Sequence, residues 1–162
     1  MFNIKKIAVI ISICVFPLCA EQVKIIAESF NGNEKKGLTV FNGNVKIKKG
    51  NDELNASKVT VYTDKQRNPT KYVAEGNVSF YIDLSENNAS YKGDAGKVVY
   101  FPNKQEYQFY INVHLYQIGT NRKIFGEEVI LNAIDGNAKA LGKEKVPVIM
   151  IFNIEDKKKE EK

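Results

Sequence analysis

The chain has 162 residues and a formal net charge of +5, with 24 Lys and Arg against 19 Asp and Glu. This length is enough for one domain with an apolar core. So mild a positive charge does not require a nucleic-acid partner, and none is expected. Tryptophan is absent, and Tyr, Phe, Ile and Val carry much of the apolar content, which favours strands over helices. The composition therefore predicts an all-β domain.

The first twenty residues have the three-part plan of a secretory signal peptide. Lys5 and Lys6 precede an apolar run over residues 7–18, and the small Ala20 is followed by polar residues. The apolar run is shorter than the roughly 20 residues that a membrane-spanning helix needs. We expect residues 1–20 to be a signal peptide cleaved near Ala20, which leaves a mature charge of +3 (5 − 2 = 3). An uncleaved segment that anchors the chain is the alternative.

Residues that carry covalent or metal chemistry are scarce in the mature chain. Cys14 and Cys19 both lie in the leader, so no thiolate, disulfide or cysteine ligand remains. The single histidine, His114, shows no evident nucleophile or carboxylate partner and is interpreted as a surface residue. Metal-ligand spacing, a P-loop and a nucleophile elbow are all missing from the sequence. We therefore predict no catalytic residue, no metal site and no cofactor, and a protein that is not an enzyme.

Strand patterns recur along the mature chain. In residues 78–84 the apolar side chains fall at every second position, as in a strand with one buried face. The Gly and Asn residues at 42–44 and 76–77 are interpreted as turns, the first of them as a hairpin. The alternation over residues 107–118 predicts a long strand or one bent at a bulge. Residues 146–154 are predicted to close the sheet.

One turn-plus-strand unit occurs three times. Gly43-Asn44-Val45 recurs as Gly76-Asn77-Val78, 33 residues later (77 − 44 = 33). A looser copy, Ile111-Asn112-Val113, follows after a further 35 residues (112 − 77 = 35). Each copy is followed by a returning strand with a small residue at the matching place: Ala56, Ala95 and Gly126. Such repetition predicts a sheet with one continuous apolar face.

These paired units resemble the OstA-like domain family, whose pattern is Gly-Asn-Val-x-apolar-x followed by apolar-x-Ala-x-x-apolar-x-apolar. The first pair covers residues 43–48 and 54–61, the second covers 76–81 and 94–100, and the match extends over about 23–152. The third copy departs from the pattern at the glycine and at the alanine. The resemblance implies an OstA-like β-jellyroll over residues 21–154, made of stacked antiparallel strands, open at both ends and enclosing an apolar groove. The charged tail, 155–162, is expected to be disordered.

OstA-like domains occur in proteins that transport lipopolysaccharide. The resemblance implies a periplasmic carrier that takes the acyl chains of lipid A into its groove on the way from the inner to the outer membrane. It also implies end-to-end self-association and LptC-like inner-membrane and LptD-like outer-membrane jellyroll partners. A membrane-anchored LptC-like component is one alternative. A structural or adhesive β-repeat protein without a lipid ligand is another.

The alternating apolar residues are the predicted lining of this groove. Each buried methylene contributes about 0.8 kcal/mol, so a ten-carbon chain left in water costs on the order of 8 kcal/mol. An exposed lysine contributes about 1 kcal/mol or less, so apolar contacts must hold a lipid. The same residues could instead form a dry sandwich core. The predicted lining residues are Val45, Ile47, Val59, Val61, Val78, Phe80, Ile82, Phe109, Ile111, Val113 and Leu115.

A group of lysines has two interpretations. Lys46, Lys48 and Lys49 lie on the first repeat unit and its turn, with Lys35 and Lys36 nearby. Lysines on an edge strand commonly prevent sheets from pairing with one another. Alternatively, these ammonium groups could contact the phosphates of an anionic ligand.

Overall fold

The computed structural model describes residues 22–84 and 89–154, and these ranges are almost entirely β-structure. Two short 3₁₀ helices, Glu34–Lys36 and Pro102–Lys104, are the only helices there, and neither could cross a membrane. The predicted all-β class is confirmed. The predicted signal peptide and the charged tail lie outside the described residues. The ten strands are β1 Val23–Ile26, β2 Ser29–Asn33, β3 Leu38–Lys49, β4 Asp52–Thr63, β5 Pro69–Leu84, β6 Ala89–Phe101, β7 Glu106–Gln117, β8 Lys123–Asn132, β9 Ala138–Leu141 and β10 Ile149–Ile151.

All ten strands belong to one antiparallel sheet in the order β1-β3-β4-β5-β6-β7-β8-β10. From β3 to β8 each strand pairs with the next one in the sequence, so the centre of the sheet is a meander. At each edge of the sheet, two short strands share the outermost position. On one side β1 pairs with residues 46–49 of β3 and β2 with residues 38–42. On the other side β10 pairs with residues 123–125 of β8 and β9 with residues 128–131.

A line of β-bulges crosses the sheet. In β3, β5 and β7, two consecutive residues stand opposite a single residue of the following strand, so the register shifts at the same level in each pair. We call this line the crease. It runs through residues 43–44, 57, 76–77, 96, 111–112 and 127.

The backbone at the crease explains why the repeat unit contains Gly-Asn. Both residues of each pair have positive φ: +79° and +43° at Gly43-Asn44, +82° and +48° at Gly76-Asn77, and +69° and +49° at Ile111-Asn112. Glycine and asparagine tolerate this left-handed region best. The interpretation of 42–44 and 76–77 as turns is wrong, because these residues lie inside β3 and β5. In a hairpin, a pair of residues with positive φ forms a tight turn. Inside β3 and β5 the same kind of pair forms a bulge. Of the two alternatives for residues 107–118, a long strand or one bent at a bulge, β7 shows the second: it spans 12 residues and carries a bulge.

The crease folds the sheet into two layers that face each other. Layer A contains residues 38–42, 58–63, 69–75, 97–101, 106–110 and 128–132, together with β2 and β9. Layer B contains residues 45–49, 52–56, 78–84, 89–95, 113–117 and 123–126, together with β1 and β10. Side chains of strands that do not pair meet between the layers: the rings of Phe80 and Phe109 are 4.5 Å apart. The sheet is not closed into a barrel, and the predicted open jellyroll is confirmed.

The apolar core fills the space between the layers next to the crease. Val45, Val78 and Val113, which each follow a bulge, are fully buried. Each of the three stands opposite a small residue of the next strand: Ala56, Ala95 and Gly126. The repeated motif of the sequence therefore pairs a buried valine with a small residue at each of the three bulges.

Candidate functional site

A cavity of about 460 Å³ lies between the two layers on the side away from the crease. Lys49 and Asp52 of layer B border it, and these residues flank the β3–β4 turn. Pro69 of layer A borders it from the opposite side, together with Pro102 and Gln105 of the connection between β6 and β7. Hairpin ends of the two layers thus face each other here. We call this opening, bordered by these five residues, the mouth.

Apolar and aromatic side chains form most of the cavity wall. Layer B contributes Ile47, Leu54, Phe80 and Ile82. Layer A contributes Ala74, Val98 and three tyrosines, Tyr72, Tyr100 and Tyr107. The tyrosine rings form a row: the centroids of Tyr72 and Tyr100 are 6.0 Å apart, and those of Tyr100 and Tyr107 are 4.4 Å apart. This part of the wall is aromatic and carries hydroxyl groups.

Polar groups of the mouth contact one another across the gap between the layers. The Tyr107 hydroxyl donates a 2.7 Å hydrogen bond to Oδ2 of Asp52. The backbone N–H of Asp83 donates a 2.8 Å hydrogen bond to Oδ1 of the same carboxylate. The Lys49 ammonium lies 6.0 Å from the Tyr100 ring centroid. Burial raises the pKa of Tyr72, Tyr100 adds to the rise, and Lys49 opposes it. This phenol is therefore neutral at physiological pH.

The predicted lining residues separate into three groups. Ile47, Phe80 and Ile82 line the cavity. Seven others are buried between the layers outside the cavity wall: Val45, Val59, Val61, Val78, Phe109, Val113 and Leu115. Close packing of these seven agrees with the dry-core interpretation for that part of the interior, whereas the three cavity residues agree with the groove interpretation. Contact with lipid stays a prediction for all ten.

The prediction that Ile111 faces the interior is wrong. Its side chain is 50% exposed, although its neighbours two positions away, Phe109 and Val113, are fully buried. The reason is the bulge: a φ of +69° at Ile111 interrupts the alternation of the strand and turns this side chain to the outer face. It lies there against Gly96 of the neighbouring strand β6.

Sequence reasoning did not select Tyr72, Tyr100, Tyr107 or Asp52, and it considered Lys49 only as a possible phosphate contact. The tyrosines carried a usable signal, since each stands two residues from a buried apolar residue on the same strand: Ala74, Val98 and Phe109. Period-two alternation assigns them to the same interior face. Asp52 and Tyr107 are 55 positions apart, and no local pattern indicates their contact.

His114 has a carboxylate partner that the sequence did not reveal. Its Nδ1 lies 2.9 Å from Oδ1 of Asp94, which stands directly opposite it in the β6–β7 register. Both side chains are exposed, and the surface interpretation agrees with this position. Within residues 22–84 and 89–154, no group of three or more His, Cys, Asp or Glu could hold a metal ion.

The edge-strand explanation of the lysines is wrong for Lys46, Lys48 and Lys49. Their strand, β3, pairs with β1 and β2 on one side and with β4 on the other. Lys48 forms a 2.6 Å ion pair with Glu53 of the neighbouring strand. Contact of these lysines with phosphate groups stays a prediction.

The comparison with protein families matches residues 24–137 to the family described as "LptA/(LptD N-terminal domain) LPS transport protein". This match covers well over half of the chain and includes all six crease positions. The chain belongs to this family of lipopolysaccharide-transport proteins. The resemblance to OstA-like domains is thereby confirmed.

A solved structure within the same class has the same fold. It is LptH, described as the LptA homologous periplasmic component of the conserved lipopolysaccharide transport device from Pseudomonas aeruginosa. The TM-score is 0.74 at 17% sequence identity, and the alignment covers 83% of this chain and 96% of LptH. The comparison with curated proteins gave no match.

Proposed function

We propose that this protein is a periplasmic carrier that holds the acyl chains of lipopolysaccharide in the cavity between its two layers. It passes the lipid from the inner towards the outer membrane without covalent chemistry. The observation that carries the proposal is the apolar cavity at the mouth. Membership of a lipopolysaccharide-transport family supplies the ligand class. The likeness to LptH, a periplasmic component, supports the location.

The size and lining of the cavity suit part of an acylated ligand. Ligand sites commonly measure roughly 300–1,000 Å³ and are mostly apolar with a few polar groups, and a volume of about 460 Å³ lies within that range. Ten methylenes transferred from water to such a wall gain on the order of 8 kcal/mol. Lys49, Asp52 and the tyrosine hydroxyls leave polar contacts at the mouth, where the sugar and phosphate part of the ligand would remain in water.

Both ends of the folded sheet support end-to-end association. Among the described residues, no strand pairs with the outer side of β1 and β2 or of β9 and β10, and such edges can add another strand. Phe30 on β2 is 73% exposed. At the other end the exposed apolar residues are Leu141, Val148, Ile149, Met150, Ile151 and Phe152. We infer that further copies and LptC-like and LptD-like jellyrolls bind these two ends.

Native mass spectrometry of the purified protein with lipopolysaccharide tests the carrier function. The complex is expected to be saturable and to survive high salt, because apolar contacts hold the ligand. Phe80→Glu places a charge in the cavity wall and is expected to abolish the complex. Ile111→Glu introduces the same charge on the outer face, in a half-exposed position, and is the matched control.

Three other outcomes would change the proposal. A folded wild-type protein that associates with itself but binds no lipopolysaccharide would favour a structural β-repeat protein, the candidate that the close packing next to the crease supports. A mature N-terminus found at Met1 in cell membranes would favour the anchored LptC-like component. Loss of binding by Ile111→Glu, with Phe80→Glu still binding, would exclude the cavity as the site.

A further inference from the structure

We propose that Asp52 and Tyr107 form a clasp that closes the mouth, and that the acyl chains enter sideways through the mouth when this clasp opens. The inference rests on the proposed carrier function and adds to it the route of the ligand and the two residues that control it. We use the name clasp for the hydrogen bond between these two side chains.

The position of the clasp separates it from the hydrogen bonds of the sheet. Asp52 begins β4 in layer B, and Tyr107 lies near the start of β7 in layer A. Two strands, β5 and β6, stand between them in the sheet order. The 2.7 Å bond from the Tyr107 hydroxyl to the Asp52 carboxylate therefore crosses the space between the layers. On the opposite side the layers are covalently continuous through the crease.

Neighbouring contacts hold both partners of the clasp in place. The backbone N–H of Asp83 donates to the second oxygen of Asp52 at 2.8 Å, which orients the carboxylate. The Tyr107 ring stacks on Tyr100 at 4.4 Å, and Phe109 lies 6.3 Å away. Each side of the clasp is thus fixed to its own layer. Breaking this hydrogen bond releases one tie between the layers at the mouth without disturbing the pairing within either layer, and the contact of Lys49 with the Tyr100 ring remains across the gap.

The clasp lies beside the mouth, where an amphiphile can enter the cavity while its head group stays in water. Such a ligand crosses the mouth tail first, and Asp52 and Tyr107 both border the cavity behind it. A hydrogen bond to a charged group contributes about 1.5–3 kcal/mol, which corresponds to a factor of roughly ten or more in a rate. If the clasp is closed both before and after loading, this factor applies equally to loading and to release. The equilibrium affinity then stays nearly the same when the clasp is removed.

Stopped-flow measurement of fluorescently labelled lipopolysaccharide tests the clasp. Tyr107→Phe keeps the ring and removes the donor, so loading and release are both expected to be about tenfold faster with a nearly unchanged Kd. Asp52→Asn keeps an acceptor without the charge and is expected to give a smaller increase. Tyr110→Phe is the matched control: it removes a tyrosine hydroxyl from the same strand, where it donates to Gln108 at 2.7 Å. Its rates are expected to equal those of the wild type.

The outcomes separate the clasp from the carrier function. Wild-type binding with unchanged rates in Tyr107→Phe would overturn the clasp and leave the carrier intact. A Tyr107→Phe variant that changes only the release rate would also overturn it, because the hydrogen bond would then belong to the bound state alone. Absence of binding by the wild type would overturn the carrier function. Hydrogen exchange without lipid gives a second measure: the Asp83 amide, which is bonded to Asp52, is expected to exchange faster in Tyr107→Phe but not in Tyr110→Phe.

Discussion

The third crossing of the crease gives the sharpest test of the fold. At Gly43 and Gly76 the bulge carries a glycine, and a neighbouring side chain occupies the space beside it: Glu28, between β1 and β2, or Ser57 of β4. At the third crossing the arrangement is reversed: Ile111 is on the bulge and Gly96 is on the neighbouring strand. A methyl group on Gly96 would lie 2.8 Å from Cβ of Ile111. Gly96→Ala should therefore destabilise the protein, and Ile111→Gly should remove that effect.

The size of the effect follows from two opposing contributions. Overpacking at such a distance costs about 1–3 kcal/mol, whereas replacing glycine by alanine gains about 0.4–1 kcal/mol by restricting the unfolded chain. We expect Gly96→Ala to lower the free energy of unfolding by about 1–2 kcal/mol. Ile111→Gly alone relieves a left-handed β-branched residue, worth about 1–2 kcal/mol, but loses side-chain contacts and adds glycine entropy, so its net effect is small. In that background Gly96→Ala should be neutral or stabilising.

Urea unfolding of the four proteins measures this coupling as a double-mutant cycle. The expected interaction energy is about 1–3 kcal/mol. This is typical of residues in contact and exceeds the error of the unfolding measurements. An equal cost of Gly96→Ala in both backgrounds would refute the arrangement of Ile111 against Gly96. It would also remove the explanation for the departure of the third repeat from the Gly-Asn pattern.

Three further predictions concern the core, the tyrosines and the surface. Phe80→Ala should lower the free energy of unfolding by about 3–5 kcal/mol in calorimetry, because the ring is 5% exposed and packs 4.5 Å from Phe109; a loss below 1 kcal/mol would contradict the packing. Stability in urea should fall as pH rises above about 10, because the unfolded chain loses phenol protons before the folded chain does. Burial is the main cause of the raised pKa of three tyrosines: Tyr72, Tyr91 and Tyr110. Lys48→Ala should change the free energy of unfolding by no more than about 1 kcal/mol, because its ion pair with Glu53 is exposed. A larger change would show that the lysine has a further role.

Within each layer the sequence predicted the interior face well. Alternation identified Val78, Phe80 and Ile82 correctly because a strand without a bulge keeps the period of two. The same rule failed at Ile111, where an extra residue interrupts the period. The repeat contains the information that corrects this assignment. Ile111-Asn112 aligns with Gly76-Asn77, and the alignment predicts the same backbone conformation for both pairs.

The site was less predictable than the fold because it depends on how the sheet bends. Positive φ at Gly43-Asn44 is equally compatible with a hairpin turn and with a bulge. Only the bulge brings Asp52 opposite Tyr107 and produces a mouth. The sequence shows which residues are apolar, but it does not show that the cavity lies at the strand ends while the residues next to the crease pack closely. Those two facts follow from the angle between the layers.

The crease also has a consequence for how this chain folds. From β3 to β8 every strand pairs with the one made just before it, so the sheet can grow in chain order, and each hairpin extends both layers at once. No distant strand has to be found, which avoids the long loop closures that slow most all-β proteins. The last event is different, because the hydrogen bond between Asp52 and Tyr107 can join the layers at the mouth only after β7 has been added to the sheet. We expect pairing of the early hairpins to precede that closure, and pulsed hydrogen exchange can follow the order.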